Sequence, residues 1–566
     1  MFKLTPIGFG LLLLAASTQV IAQPMVAPEN TNAQPTVNLS SQLDHIAKRY
    51  YGVTQPGATV IVVKDGKILL RGGYGLANVE KNEALSAQHV MRLGSITKQF
   101  TAVAIMQLVE QGKISLNDPI SKFVDDYPES GKRVTIEHLL THTSGIPSYT
   151  GKPGFIATVG VDKTVKEMID SFKNDPLEFE PGTQWKYNNS GYFLLGAVIE
   201  KVSGMSYAKY VESALFMPLG MQDTAYENSE RSKQIKALGH TPSKGQFQAS
   251  NKISMTIPYA AGALVSNVDD LAKWDAAIEA GKLLKPDSWK RVFTAYKLSN
   301  GQATDYGYGW NIGQFESKPM IAHGGGIPGF ATYALSMPTE KLYVAVLTNS
   351  DSGLASSEMV ATRLASTVLG KTIPEFNAIQ LDSKILDQYV GVYKIDATNR
   401  RFVTREGDKL VMTRTNGPRT VLQAYSETGF FKDNESLLRV DFSKDSKGKV
   451  KDLTVHQRGT STAHERLNEV LPEAPKQFAM TNEVFDVFVG EYQIRPNFIL
   501  TVKRDGNRFL TQATGQSEIE IFATSHEFFD VPDVRGSLKF EKNENGKVVQ
   551  LILTQNGRSM PVPKIK

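Results

Sequence analysis

The stretch Arg92-Leu93-Gly94-Ser95-Ile96-Thr97-Lys98-Gln99-Phe100 delivers a serine, through a turn at Gly94, to the start of an apolar run. Phe100, Val103, Ala104, Met106, Leu108 and Val109 follow before Gly112 and are apolar around much of a helical circumference, so the spacing predicts a buried helix. Ser95 and Lys98 stand three residues apart, which puts both side chains on one helix face. A lysine amine in that position can activate a serine hydroxyl without a histidine, and the positive end of the helix favours negative charge developing beside it. Ser95 is therefore a candidate nucleophile. The competing reading is an N-cap serine with an exposed lysine one turn on.

Three other stretches carry chemistry. Trp185-Lys186-Tyr187-Asn188-Asn189-Ser190-Gly191 follows the turn signal Pro181-Gly182 and precedes an apolar helical run through Phe193, Leu194, Leu195 and Val198. A tyrosine shuttles protons if a nearby lysine lowers its phenol pKa, and an asparagine amide can bind a substrate amide through both its oxygen and its nitrogen. Read alone, the same stretch is an N-capping Asn189 beside a packed Tyr187. His323-Gly324-Gly325-Gly326, then Pro328-Gly329, lies between strand-like runs at 306–312 and 330–335, with another at 342–347. Glycines in or beside a strand let a second backbone or a ligand come close. Leu139-Leu140-Thr141-His142-Thr143-Ser144-Gly145-Ile146-Pro147 ends a helical pattern in a turn, where His142 is either catalytic or holds the loop.

Local patterns supply the frame. Leu39, Leu43, Ile46 and Tyr50 recur at helical spacing before Gly52, and strand-like runs at 60–63 and 68–70 flank Asp65-Gly66, a pair suited to a tight primed turn. Helix, antiparallel hairpin and serine helix in that order make the class α+β. Ser266 or Asn267 can cap a scaffold helix over 271–278.

Ser95-x-x-Lys98, Tyr187-x-Asn189 and His323-x-Gly325 occur in the order, and at roughly the separations, of the three motifs of the penicillin-recognising serine hydrolases. With the 139–145 stretch and Tyr306-Gly307-Tyr308-Gly309-Trp310, the chain over about 38–370 resembles their class C branch, which holds class C β-lactamases, DD-carboxypeptidases, D-aminopeptidases, D-amino-acid amidases and related esterases. The resemblance implies a β-lactamase/transpeptidase-like domain: a five-stranded antiparallel sheet with helices at 39–51 and about 355–369 on one face and an all-helical subdomain on the other. It implies Ser95 as the acylated nucleophile, Lys98 as its base, Tyr187 as a proton relay and Asn189 as a holder of the substrate amide. His323 and Gly325 would lie on the edge strand, and the N–H groups of Ser95 and Gly326 would form the oxyanion hole. One departure stands out, because many relatives carry lysine where this chain has His323. With an unperturbed pKa of about 6.5, histidine would attract a substrate carboxylate weakly and in a pH-dependent way. The His-x-Gly form is that of D-aminopeptidases and some DD-peptidases.

Beyond Gly370 the helical period stops and a duplication begins. Tyr389-Val390-Gly391-Val392-Tyr393 matches Phe488-Val489-Gly490-Glu491-Tyr492, and 405–410 matches 504–509, at a shift of 99; Phe430-Phe431 matches Phe528-Phe529, and 448–450 matches 546–548, at a shift of 98. Short alternating strands between turn signals predict a small antiparallel β-barrel in each copy. The layout looks like D-aminopeptidases with two C-terminal barrels, and the barrels are expected to cover or shape the active-site mouth or to bind a ligand as lipocalins do.

Composition sets the limits. The 566 residues, 41% apolar and 21% charged, are too many for a single core at about 150 residues per domain. A formal charge of +5 without basic runs argues against nucleic acid, and the absence of cysteine excludes disulfides and thiol chemistry. Nine scattered histidines show no metal-ligand spacing, so neither a metal nor a cofactor is expected. Lys3, the apolar run 7–16 and Val20-Ile21-Ala22 read as a signal peptide, too short to span a bilayer, with no stable membrane insertion once it is cleaved. The expected order is signal peptide 1–22, tether 23–37, serine hydrolase 38–370, linker 371–381, barrel repeat 382–470, linker 471–480 and barrel repeat 481–566. The expected protein is a periplasmic or secreted hydrolase of D-amino-acid peptides, amides or esters, its partner a small molecule or short peptide such as a cell-wall fragment. A class C β-lactamase and a penicillin-binding sensor that never turns over are the alternatives.

Overall fold

A computed structural model describes residues 38–566 apart from 153, 233–235, 244, 353–354, 372, 416, 418, 458, 473–477, 496–497, 515–517, 535 and 556–557. The signal-peptide and tether readings, and part of the 471–480 linker, lie outside the described residues. Residues 39–566 form one compact unit, and no helix among the described residues is long and apolar enough to cross a membrane.

Asp65 and Gly66 both take positive φ, 50° and 72°, and join β1 (Ala58–Lys64) to β2 (Lys67–Tyr74) in the hairpin that their sequence predicts. The sheet is completed by β3 (Asn311–Phe315), β4 (Lys318–Ile327), β5 (Phe330–Met337) and β6 (Leu342–Thr348), in the order β3-β4-β5-β6-β1-β2. The sheet is antiparallel throughout but has six strands, not five. The sixth is β3, formed because Glu316 and Ser317, at φ 49° and 64°, fold the chain straight back. Residues 306–310, read as strand, instead form an irregular aromatic segment. Gly309 sits there at φ 85°, where a Cβ would stand 2.8 Å from the Lys98 carbonyl.

Both faces of the central strand β1 are buried, as its unbroken apolar run requires. Val60 and Val62 join Leu43, Ala47, Val360 and Leu364 in the core under α1 (Leu39–Tyr50) and the helix Ser357–Val368. Ile61 faces the other way, into the core shared with the serine helix α2 (Thr97–Glu110) and the helical subdomain.

The first C-terminal repeat is a closed barrel of eight strands, from Gly391–Lys394 to Thr460–Leu467. The second makes one four-stranded and one five-stranded sheet, whose far edges meet at a Tyr492–Lys564 bridge. The strand Thr420–Ala424 of the first copy corresponds in the second to two short pieces, Ile519–Glu520 and Phe522–Ala523. Side-chain contacts repeat with the sequence: Tyr393 and Tyr492 hydroxyls donate to the carbonyls of Tyr389 and Phe488, and Arg405 and Arg504 pair with Asp387 and Asp486.

The first barrel docks at the β3–β4 turn. Glu316 N–H donates to the Gly459 carbonyl, Phe315 packs where a Gly459 Cβ would be, and partly buried Leu437 packs against the core beneath α1. Buried Arg363 donates to the carbonyls of Ile373 and Asn434. These contacts lie at the end of β4 opposite to Gly326.

Candidate active site

Two backbones meet closely at the serine. Gly94 has φ 54°, and a Cβ on it would lie 2.9 Å from the Gly326 nitrogen. A Cβ on Gly325 would lie 2.0 Å from the Leu93 carbonyl oxygen, which already accepts a hydrogen bond from Thr332 Oγ1 at 2.8 Å. Glycine on both chains is what lets β4 press against the serine turn. Ser95 lies in the 3₁₀ turn Gly94–Ile96 that leads into α2, and no side chain caps that helix, so Ser95 is not an N-cap.

Lys98 is fully buried. Its Nζ lies 2.9 Å from Asn189 Oδ1, 2.9 Å from the Ala261 carbonyl and 3.1 Å from Ser95 Oγ, with the rings of Tyr187 and Tyr192 4.8 and 5.5 Å away. Burial holds the amine pKa well below its ordinary 10.5. A neutral amine has two hydrogens and one lone pair. The two oxygens that can only accept take both hydrogens, which leaves the lone pair to receive the Ser95 O–H.

The second motif is organised one residue away from the capping expected at Asn189. Asn188 caps the helix Asn189–Ser203, its Oδ1 accepting from Gly191 N–H at 3.0 Å. That frees Asn189, which gives Oδ1 to Lys98 and donates from Nδ2 to Thr150 Oγ1 at 3.2 Å. His142 holds the loop: at φ 60°, its Nδ1 accepts from Asn188 N–H at 3.1 Å, and its ring lies 4.3 Å from Tyr187 and 4.6 Å from Tyr306. Its other nitrogen then carries the hydrogen, buried without a partner among the described residues. Burial, and secondarily Lys98, holds the imidazole pKa well below 6.5. The Tyr187 hydroxyl is buried beside Ser95, and burial raises its pKa, against a smaller lowering by the Ser95 hydroxyl. A lysine-lowered phenol is therefore not what the structure contains, because the neighbouring amine is itself held towards its neutral form.

His323 is buried as well. Nδ1 donates to the Gly324 carbonyl at 2.6 Å, so Nε2 accepts from the Tyr306 hydroxyl at 2.9 Å. Burial, with Lys98 nearby, lowers its pKa to about 3. The expected titration near neutrality is thus displaced, and His323 is uncharged at the pH where a carboxylate would need it. Ile327 faces Phe330 across a two-residue turn, so the hydrogen-bonded pairs are 327/330, 325/332 and 323/334. The N–H groups of Gly324 and Gly326 therefore point away from β5. β3 pairs with β4 only as far as Ala322, which leaves that edge uncovered at Gly326.

The structure thus brings Ser95, Lys98, Tyr187, Asn189, His323, Gly325 and Gly326 together. Thr150, the Ala261 carbonyl and the role of Tyr306 were not read from the sequence; only the 306–310 aromatic-glycine pattern signalled any of them.

This fold, with a serine beside a buried lysine, defines a penicillin-recognising serine hydrolase. Residues 44–369 match the Beta-lactamase family over more than half of the chain, and the protein belongs to that family. Residues 376–469 match a domain of unknown function, DUF3471. Penicillin-binding protein 4* of Bacillus subtilis (strain 168) is 29% identical over 400 residues, 67% of this chain and 88% of that one. The octameric penicillin-binding protein homologue from Pyrococcus abyssi superposes with a TM-score of 0.52 at 24% identity, covering 93% of this chain and 99% of that one. D-amino acid amidase from Ochrobactrum anthropi SV3 gives 0.50 at 23%, covering 59% and 98%. At these identities the structural likenesses speak for the fold.

Proposed function

We propose that the chain is an exported enzyme that forms an acyl-enzyme at Ser95 and hydrolyses D-amino-acid peptides, amides or esters. The Lys98 amine carries this reading, since its lone pair faces the Ser95 hydroxyl while both its hydrogens are engaged. Ser95 Oγ attacks the substrate carbonyl and its proton passes to Lys98. The N–H groups of Ser95 and Gly326 receive the oxyanion. Tyr187, a neutral phenol, relays the proton from Lys98 to the leaving nitrogen or oxygen, and Asn189 holds the substrate amide. With His323 neutral, the third motif supplies no fixed cation for a substrate carboxylate, which favours amides, esters and aminopeptidase-type substrates over carboxypeptidase or β-lactam substrates. Export rests on the 1–22 pattern, and the assignment of 38–370 as the catalytic part on the motifs it contains.

The test is a panel of D- and L-aminoacyl amides, short-chain esters and a chromogenic cephalosporin. Turnover of D-aminoacyl amides or esters well above the cephalosporin is expected. Turnover of the cephalosporin alone would make the chain a β-lactamase, and a stable adduct without turnover of any substrate would make it a sensor.

A further inference from the structure

A second hydrogen-bonded relay ending in a serine lies on the outer wall of the first barrel. Its strands are β7 (Arg439–Lys444), β8 (Val450–Gln457) and β9 (Thr460–Leu467), neighbours in the closed barrel. Val440, Phe442 and Val455 point into the barrel core, so Asp441 and His456, next to them in sequence, point outward. Ser461 Oγ lies 2.7 Å from His456 Nδ1, and His456 Nε2 lies 3.0 Å from Asp441 Oδ2. The Tyr425 hydroxyl donates to the other Asp441 oxygen, and Arg439 Nε stands 3.6 Å from the carboxylate.

The roles follow from what each atom can do. A carboxylate only accepts, so His456 Nε2 carries the hydrogen and Nδ1 keeps its lone pair for the Ser461 O–H. The pair is fixed by register. His456 faces Ser461 next to the Gln457–Thr460 pair that closes a two-residue turn, so it is a non-hydrogen-bonded pair with its side chains close together. The same geometry turns the Ser461 N–H away from β8. The strand on that side, Gly391–Lys394, pairs with β9 only at Arg466 and Leu467. The second repeat supplies an internal comparison. At a shift of 98, the equivalents of Asp441, His456 and Ser461 are Lys539, Thr554 and Ser559. Thr554 and Ser559 still touch at 2.8 Å, so the hairpin does not require a histidine or a carboxylate at these positions.

We infer that Ser461 is a second, histidine-activated nucleophile that takes acyl groups from small aryl esters. Ser461 Oγ would form the new ester bond to the carbonyl carbon as its proton moves to His456 Nδ1. The bond to the aryl oxide breaks, the proton leaves with it, and Asp441 stabilises the transient imidazolium. Ser461 is exposed, so reaction slower than at the buried Ser95–Lys98 pair is expected.

The full-length Ser95→Ala protein, treated with excess fluorophosphonate and separately with p-nitrophenyl acetate, tests this. Peptide mapping should place a label on Ser461, formed at least tenfold more slowly than the wild-type Ser95 label, and His456→Asn should slow it a further tenfold or more. Absence of label at Ser461, or labelling undiminished in His456→Asn, overturns the inference. Ser95 labelling in the wild type reports separately on the main site.

Discussion

The Leu93 carbonyl oxygen occupies the space that a side chain on Gly325 would need: a Cβ there would lie 2.0 Å from it and 2.4 Å from Thr332 Oγ1. The serine turn and β4 are therefore held at a separation that only glycine permits. Gly325→Ala must push them apart, and misplacement by about 1 Å costs on the order of 10²-fold in rate. Gly326→Ala meets nothing within 4 Å and should cost far less, because alanine keeps its N–H. Comparing kcat/KM of the two variants on one ester, at matched Tm, checks this; equal losses would mean that the glycine register is wrong.

Ser95→Ala should lower turnover roughly 10³-fold or more, since the covalent route is lost. Lys98→Ala should be nearly as damaging, because the pair acts as one unit. Intact-mass analysis after fluorophosphonate treatment should show rapid labelling at Ser95 in the wild type. Unchanged turnover in Ser95→Ala would remove Ser95 from the mechanism.

Lys98 also shapes the pH dependence of stability. Its folded pKa is depressed by burial from 10.5, so below pH 10.5 the unfolded chain gains a proton that the folded chain refuses. Stability from this group is complete above 10.5 and is lost as pH falls toward the folded pKa. Lys98→Met should therefore gain stability relative to the wild type as pH drops through that window. Urea titrations at several pH values check it, and a difference independent of pH would mean the amine is charged in the folded state.

His323 has the same sign at lower pH. With its pKa at about 3 against 6.5, its contribution is complete above 6.5 and is lost as pH falls toward 3. Kinetic profiles should show no His323 inflection near 6.5, and His323→Gln should move acid unfolding to lower pH. An unshifted midpoint would show that the imidazole is not held neutral by burial.

The barrel contact should matter for stability. Gly459 stands at φ 75° and a Cβ on it would lie 2.2 Å from the Phe315 ring, so Gly459→Val should cost more than the about 1–3 kcal/mol of overpacking alone, backbone strain adding to it. A 38–370 fragment, which exposes Phe315 and strips Arg363 of the Asn434 carbonyl, should melt below the full chain. Equal melting temperatures would mean that the barrel docks without sharing a core.

Local spacing put Ser95 and Lys98 on one face of a helix, because residues three apart are neighbours there; that the lysine is buried against the serine rather than exposed one turn on was decided by the fold. Local sequence also determined the Asp65-Gly66 hairpin and the duplication, since turn chemistry and a 98–99 residue shift need no partner to be legible. Only tertiary structure decided the state of the site. The acceptors that orient the Lys98 amine, Asn189 and Ala261, lie 91 and 163 residues away in the chain. Asn188 rather than Asn189 caps the helix, its Oδ1 accepting from Gly191 N–H while its own N–H donates to His142 Nδ1, 46 residues back in the chain. The pKa of His323 follows from burial against Tyr306 rather than from being histidine, because the cost of charging a group is set by the solvent that packing removes.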